Sequence, residues 1–251
     1  MTALALSPTA RPQRAVLRLH RPALTVWGAF LLLAVGTLLW VHLFRAPAER
    51  HPADQYFVLT DVNNVMNFLG EVLSYTSVAV AAWAGAALVG RELETGTARL
   101  AWTQSVTPAR WLTAQLTAAA LPLTAGTTLL GLVYAWVWTG DQDVLVTNWS
   151  YDRVLVPAGP MSVALVLFAL AAGTLAGVTL GRALPALGVA AAVTYAARYF
   201  FGRTWDGIWP DRHFWPLQLT ATALLLTLTA LALAAAYALL GRRTNTKGAA
   251  V

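Results

Sequence analysis

The sequence predicts an all-α membrane protein that crosses the bilayer six times, and three observations carry that expectation. Composition is the first: of 251 residues, 58% are hydrophobic and only 11% are charged, whereas a soluble domain carries about a quarter charged residues. The second is a set of long apolar segments. The third is the uneven division of charge between the stretches that join them.

A bilayer core about 30 Å thick takes roughly 20 apolar residues of helix. Six segments meet that need within one transmembrane domain covering 1–251, at 23–44, 72–89, 112–138, 161–180, 183–201 and 217–240. The first is too long for the apolar region of a cleaved leader, although Ala46-Pro47-Ala48 has the small residues of a cleavage site, and it reads as a retained anchor. Ala81 and Gly85 give the second a small-residue face. Pro122 lies inside the third, where a membrane bundle is expected to kink instead of break. Gly173, Gly177 and Gly181 share one face of the fourth at four-residue spacing, so a neighbouring backbone can come close. Only Gly181-Arg182 separates the fourth from the fifth, which makes a tight helical hairpin. Thr220, Thr222, Thr227 and Thr229 supply the sixth with hydroxyls that can bond to their own helix or across to another.

Arginine placement sets the orientation. With the N-terminus in the cytoplasm, six spans return the C-terminus there. The inner stretches then hold Arg11, Arg14, Arg18, Arg21, Arg91, Arg99, Arg110, Arg182, Arg242, Arg243 and Lys247, against Arg45, Arg50, Arg153, Arg198, Arg203 and Arg212 outside. All carboxylates fall outside except Glu92 and Glu94. The net charge of +6 is thereby a topology signal, and no nucleic-acid partner is needed to explain it. Trp40, Trp136, Trp138, Trp149, Trp205, Trp209 and Trp215 fall at the outer ends and Trp102 and Trp111 at the inner side, as interface anchors do.

The spans themselves hold almost no ionisable group. Arg198, three residues from the outer end of the fifth, is expected to snorkel to the headgroups, and Glu71 sits at a span edge. Proton and ion pathways usually need such groups inside the membrane, so their scarcity argues against an ion-coupled carrier. No catalytic or metal site is expected either. His20, His42, His51 and His213 lack metal-ligand spacing, with His42 expected at the interface. No G-x-S-x-G turn occurs, and without cysteine there is neither a disulfide nor a thiolate site.

The densest charge in the middle of the chain is "RELETGTARLAWTQSVTPARW", residues 91–111, which joins the second and third spans on the cytoplasmic side. Leu93, Thr97, Leu100 and Ala101 fall on one side of a helix, and Glu92, Thr95 and Arg99 on another. A short amphipathic helix over 91–101 is expected. Gly96 weakens it by about 1 kcal/mol relative to alanine and marks a bend or a close contact. Thr107-Pro108 reads as an N-cap with proline at the first helical position, with Arg110 and Trp111 in the first turn. Two readings stand side by side: a solvated connector, or a short helix held out of the membrane for a cytoplasmic partner.

Glu94-Thr95-Gly96-Thr97, Leu100 and then Ser105-Val106-Thr107-Pro108-Ala109-Arg110-Trp111-Leu112 resemble the signature region of ATP-binding-cassette (ABC) type-2 permeases, and "RLAWTQSVTPARWL" is similar to permeases of this family from high-GC bacteria, an actinobacterial-like membrane subunit. Six spans with both ends inside match the family layout. So does an amphipathic N-terminal helix, with Arg14, Arg18 and Arg21 around Val16, Leu17 and Leu19. One position departs: Gln115 stands where a lysine is common, at a place expected to face headgroups. The resemblance spans the chain in architecture and about 20 residues in motif. It implies that 91–111 is a coupling helix and its flanks. Glu92, Leu93, Glu94, Gly96, Thr97, Arg99 and Leu100 would contact a partner ATPase. Trp102, Thr107, Pro108, Arg110 and Trp111 would set the membrane interface and the helix start.

A phosphate-binding loop needs G-x-x-x-x-G-K-[ST], and the single lysine, Lys247, is followed by Gly248. The chain is therefore expected to be no enzyme and to hold no cofactor, with ATP and Mg bound by two copies of a separate ABC ATPase subunit. A second permease copy would complete a homodimer of twelve spans. The family is dominated by exporters, which implies export across the bacterial cytoplasmic membrane. An ion-coupled carrier working alone, or a membrane assembly or immunity protein without transport, are the other readings. "RYFFGRTWDGIWPDRHFWP", 198–216, is either an interfacial loop or, as the resemblance suggests, short re-entrant helices lining an outer gate.

Overall fold

The computed structural model describes residues 21–50, 55–103, 106–205 and 213–248. The amphipathic N-terminal helix expected over Arg14 and Arg18, and most of the loop after Trp205, lie outside them. Every regular element among the described residues is helical. α1 (Arg21–Trp40) runs through a π-helical turn at Val41–Arg45 into α2 (Ala46–Glu49); α3 is Gln55–Glu94; α4 is Thr97–Thr103; α5 is Pro108–Gly140. α6 (Asp152–Leu155) is a single turn, α7 is Pro160–Leu180, α8 (Ala183–Tyr199) ends in a second π-helical turn at Phe200–Thr204, and α9 is Phe214–Gly248.

Six of these stretches are long and apolar enough to cross a membrane: Ala23–Glu49, Val62–Glu94, Pro108–Gly140, Pro160–Leu180, Ala183–Thr204 and Phe214–Thr244. Each contains one of the six segments read from the sequence. The largest extension is in the second. Its helix begins before the apolar run, so Glu71 lies well inside the helix and not at its edge. Asn63 shows how that polar stretch is accommodated: its Oδ1 accepts from Val146 N (3.2 Å), Thr147 N (3.1 Å) and Thr147 Oγ1 (2.8 Å).

α7 is the axis of the bundle. It is apolar on every side, as a helix enclosed by others must be, and most of its residues are buried. α3, α9, α8 and α5 pack around it, while α1 rests mainly on α5. The α3–α7 crossing is close because glycines face it. A Cβ on Gly173 would lie 2.6 Å from the Ala82 carbonyl oxygen, and one on Gly177 3.0 Å from Gly90 N. A Cβ on Gly85 would collide with the Leu170 carbonyl. Gly181 serves differently, ending α7 in the left-handed region at φ 64°, where a residue without Cβ is least strained. α5 continues through Pro122, and the Pro122 carbonyl accepts from Trp27 Nε1 at 3.1 Å, which ties α1 to α5.

Candidate functional site

The 91–111 stretch is built differently from the single helix expected over 91–101. α3 carries Arg91, Glu92, Leu93 and Glu94 as its own last turn, and the chain then breaks at Gly96, whose φ is 75°. The left-handed residue resets the helical phase, so the residues on its two sides no longer share a face. Thr95 Oγ1 and Thr97 Oγ1 lie 3.0 Å apart across the bend, and Thr97 Oγ1 donates to the Glu92 carbonyl at 3.3 Å. α4 then turns Ala98 fully inward, with Ala101 and Trp102 half-buried beside it. Thr97, Arg99 and Leu100 face outward, and Leu100 is 64% exposed. Leu93, Thr97, Leu100 and Ala101 were expected on one side of a single helix; the break leaves Leu93 on α3, and within α4 Leu100 is exposed while Ala101 is half-buried.

Glu92 and Glu94 are held within the chain. Glu92 accepts from Trp111 Nε1 through Oε2 (2.8 Å) and from Gln115 Nε2 through Oε1 (2.6 Å). Gln115 is therefore buried and bonded, not turned to the headgroups. Glu94 Oε2 accepts from Ala183 N at 3.0 Å, satisfying one of the free donors at the start of α8 and fixing the α7–α8 hairpin to the end of α3. Thr107 caps α5, its Oγ1 accepting from Arg110 N at 3.3 Å, and Pro108 takes the first helical position. Arg110 is exposed. Trp111 is buried and meets Trp102 edge-to-face at 5.8 Å between centroids.

These contacts make a small second core, with Val89, Ala98, Trp111, Leu112, Val178 and Leu240 at its centre. It joins α4 to the ends of α3, α5, α7 and α9. Packed side chains thus connect α4 to four spans, and the Glu94–Ala183 bond extends the connection to α8.

The other end carries charge networks that the sequence did not reveal. Arg198 is fully buried, correcting the expectation that it snorkels. Its Nη2 and Nη1 lie 3.4 and 3.5 Å from Asp152 Oδ2, its guanidinium sits 4.7 Å from the Tyr75 ring centroid, and Arg203 Nε approaches the same carboxylate at 3.5 Å. Gly202 leaves room for that guanidinium, because a Cβ there would collide with it. His42, in the first π-helical turn, is not simply an interface residue. Its Nδ1 lies 2.9 Å from Oδ2 of the fully buried Asp141, and its ring is 4.4 Å from that of Trp136. Arg50 spans Asp141 (2.8 Å) and Asp143 (2.6 Å). Hydrogen bonding to Asp143 raises the Arg50 pKa, and the same guanidinium holds the Asp143 carboxyl below its usual value. One signal was available for the Arg198 network: an arginine inside an apolar span requires a partner.

A family model described as ABC-2 membrane transporter related matches residues 23–205. The chain belongs to this family. Neither the curated proteins nor the solved structures give a match. The ABC-2-related chain is a multi-pass membrane protein, from a family whose members are typically non-catalytic membrane subunits served by an ATPase partner. The matched region contains the bend at Gly96, the cap at Thr107 and both charge networks of the opposite end.

Proposed function

We propose that this chain is the permease subunit of an ATP-driven exporter of the bacterial cytoplasmic membrane, working as a homodimer with two copies of a separate ATPase that binds ATP and Mg. One observation carries the reading: α4 presents Thr97, Arg99 and Leu100 outward while its other face is packed into a core shared by four spans. Such a helix is a lever. An ATPase that grips its outward face and moves on ATP binding would shift the inner ends of α3, α5, α7 and α9 together, opening one side of the dimer and closing the other. Arg99 and Arg110, both exposed, would meet acidic residues of the ATPase. Glu92 and Glu94 take part as internal ties that hold the end of α3, from which α4 hangs, to α5 and α8 respectively, in place of the direct contact first expected of them.

The test is co-purification of the full chain with an ABC ATPase encoded beside it, then reconstitution in liposomes. Two permeases with two ATPases, and ATPase turnover that depends on the permease, are expected. Transport by the purified chain driven by an ion gradient without ATP would overturn the proposal in favour of a carrier working alone.

A further inference from the structure

A cleft of about 660 Å³ lies between α1, α3 and α5, within the range of roughly 300–1,000 Å³ typical of small-molecule sites. Its chemistry is divided lengthwise. Leu24, Trp27, Trp83, Leu88 and Leu123 line the body, whereas Arg91, Glu92, Thr95 and Thr97 close one end. On α3 the lining runs from Val80 to Glu92, and at about 1.5 Å per residue that is roughly 18 Å. One leaflet, half of a hydrocarbon core of about 30 Å, has a comparable depth, with the last turn reaching the headgroups. A site with that length and a single polar end fits an amphiphile standing in one leaflet.

The polar end also has a sign. Glu92 is engaged by Trp111 and Gln115, whereas the exposed Arg91 side chain makes no ion pair or hydrogen bond among the described residues. The rim therefore offers an unmatched cation beside the Thr95 and Thr97 hydroxyls. Trp27 has its N–H directed to the Pro122 carbonyl, so the indole shows the cleft mainly its apolar ring.

We propose that this cleft binds one anionic phospholipid of the leaflet at the Arg91 end, with the phosphate at Arg91 and an acyl chain along α3 and α5. The site requires the family's bundle and its arginine-defined orientation. It does not require transport.

The test uses the full chain extracted from vesicles of equimolar phosphatidylglycerol and phosphatidylcholine, with retained lipid measured by native mass spectrometry. One phosphatidylglycerol per chain is expected. Arg91→Gln, an exposed change that leaves the bundle packing intact, should lower its retention about fivefold, the effect of one arginine at a membrane surface; Arg91→Lys should keep the preference. Ala87→Phe, which fills the cleft, should displace both lipids. Glycerol phosphate in excess should displace nothing. Equal retention of both lipids by the wild type, or indifference to Arg91→Gln, would overturn the proposal, and so would displacement by glycerol phosphate, which would mark a site for soluble phosphates. The chain has no cysteine, so Ala87→Cys combined with Val16→Cys tests another occupant. A disulfide between them in intact vesicles would show that the chain's own N-terminal segment fills the cleft, and would also overturn it.

Discussion

At the end of the bundle that carries Arg91, Glu92 and Glu94 accept from neutral donors, namely Trp111, Gln115 and the Ala183 backbone. At the opposite end, Asp152 and Asp141 face Arg198, Arg203, His42 and Arg50. Both ends use carboxylates to join helices, Asp141 and Asp152 buried, Glu92 half-buried and Glu94 exposed, but the remainder differs. Where acids take neutral donors, the exposed Arg91, Arg99 and Arg110 are left without an acid among the described residues and keep their charge for something outside the chain. Where acids take arginines, the charge is consumed internally. The first arrangement suits an end that meets an acidic protein or a headgroup, and the second suits an end that must hold together unaided.

Asp152→Ala tests the second arrangement most severely. It leaves Arg198 buried without its acid, and losing one partner of a buried pair costs about 3–5 kcal/mol, read as a large fall in the Tm of the detergent-solubilised chain. Asp152→Leu with Arg198→Leu removes both charges and should recover most of that loss; a double variant as unstable as Asp152→Ala would show that the pair is not what holds α6 to α8. Glu92→Leu is expected to cost less, about 1.5–3 kcal/mol for hydrogen bonds to a charged acceptor, because its donors are neutral. If the two single variants were equally damaging, the contrast between the ends would fail.

The smallest expected effect is at Asp143, which is exposed, so its ion pair with Arg50 is worth about 1 kcal/mol or less. Its carboxyl is held below the ordinary value near 4 by Arg50. The stabilisation is therefore present above about pH 4 and is lost as pH falls through the lowered folded-state value. Asp143→Asn should flatten that part of the Tm–pH profile while leaving the Tm at neutral pH only slightly lower.

The six spans were legible because lipid demands long apolar runs, and the cap at Thr107-Pro108 because capping is a local affair. What escaped was set by contacts distant in sequence. The polar start of α3 looked like a loop until the 146–147 segment supplied donors to Asn63. Arg198 looked like a snorkelling residue because its acid is 46 positions away. Gly96 was readable as a bend, but the side on which Leu100 would emerge depended on a backbone angle that residue types alone do not specify.

The most direct measurement uses the absence of native cysteine. Leu100→Cys on the outward face of α4 and Asp143→Cys at the opposite end each carry a single thiol for cross-linking in membranes that also contain the ATPase. A cross-link to the ATPase from Leu100→Cys alone is expected. A cross-link from Asp143→Cys, or none from Leu100→Cys while the two subunits still co-purify, would contradict α4 as the docking surface.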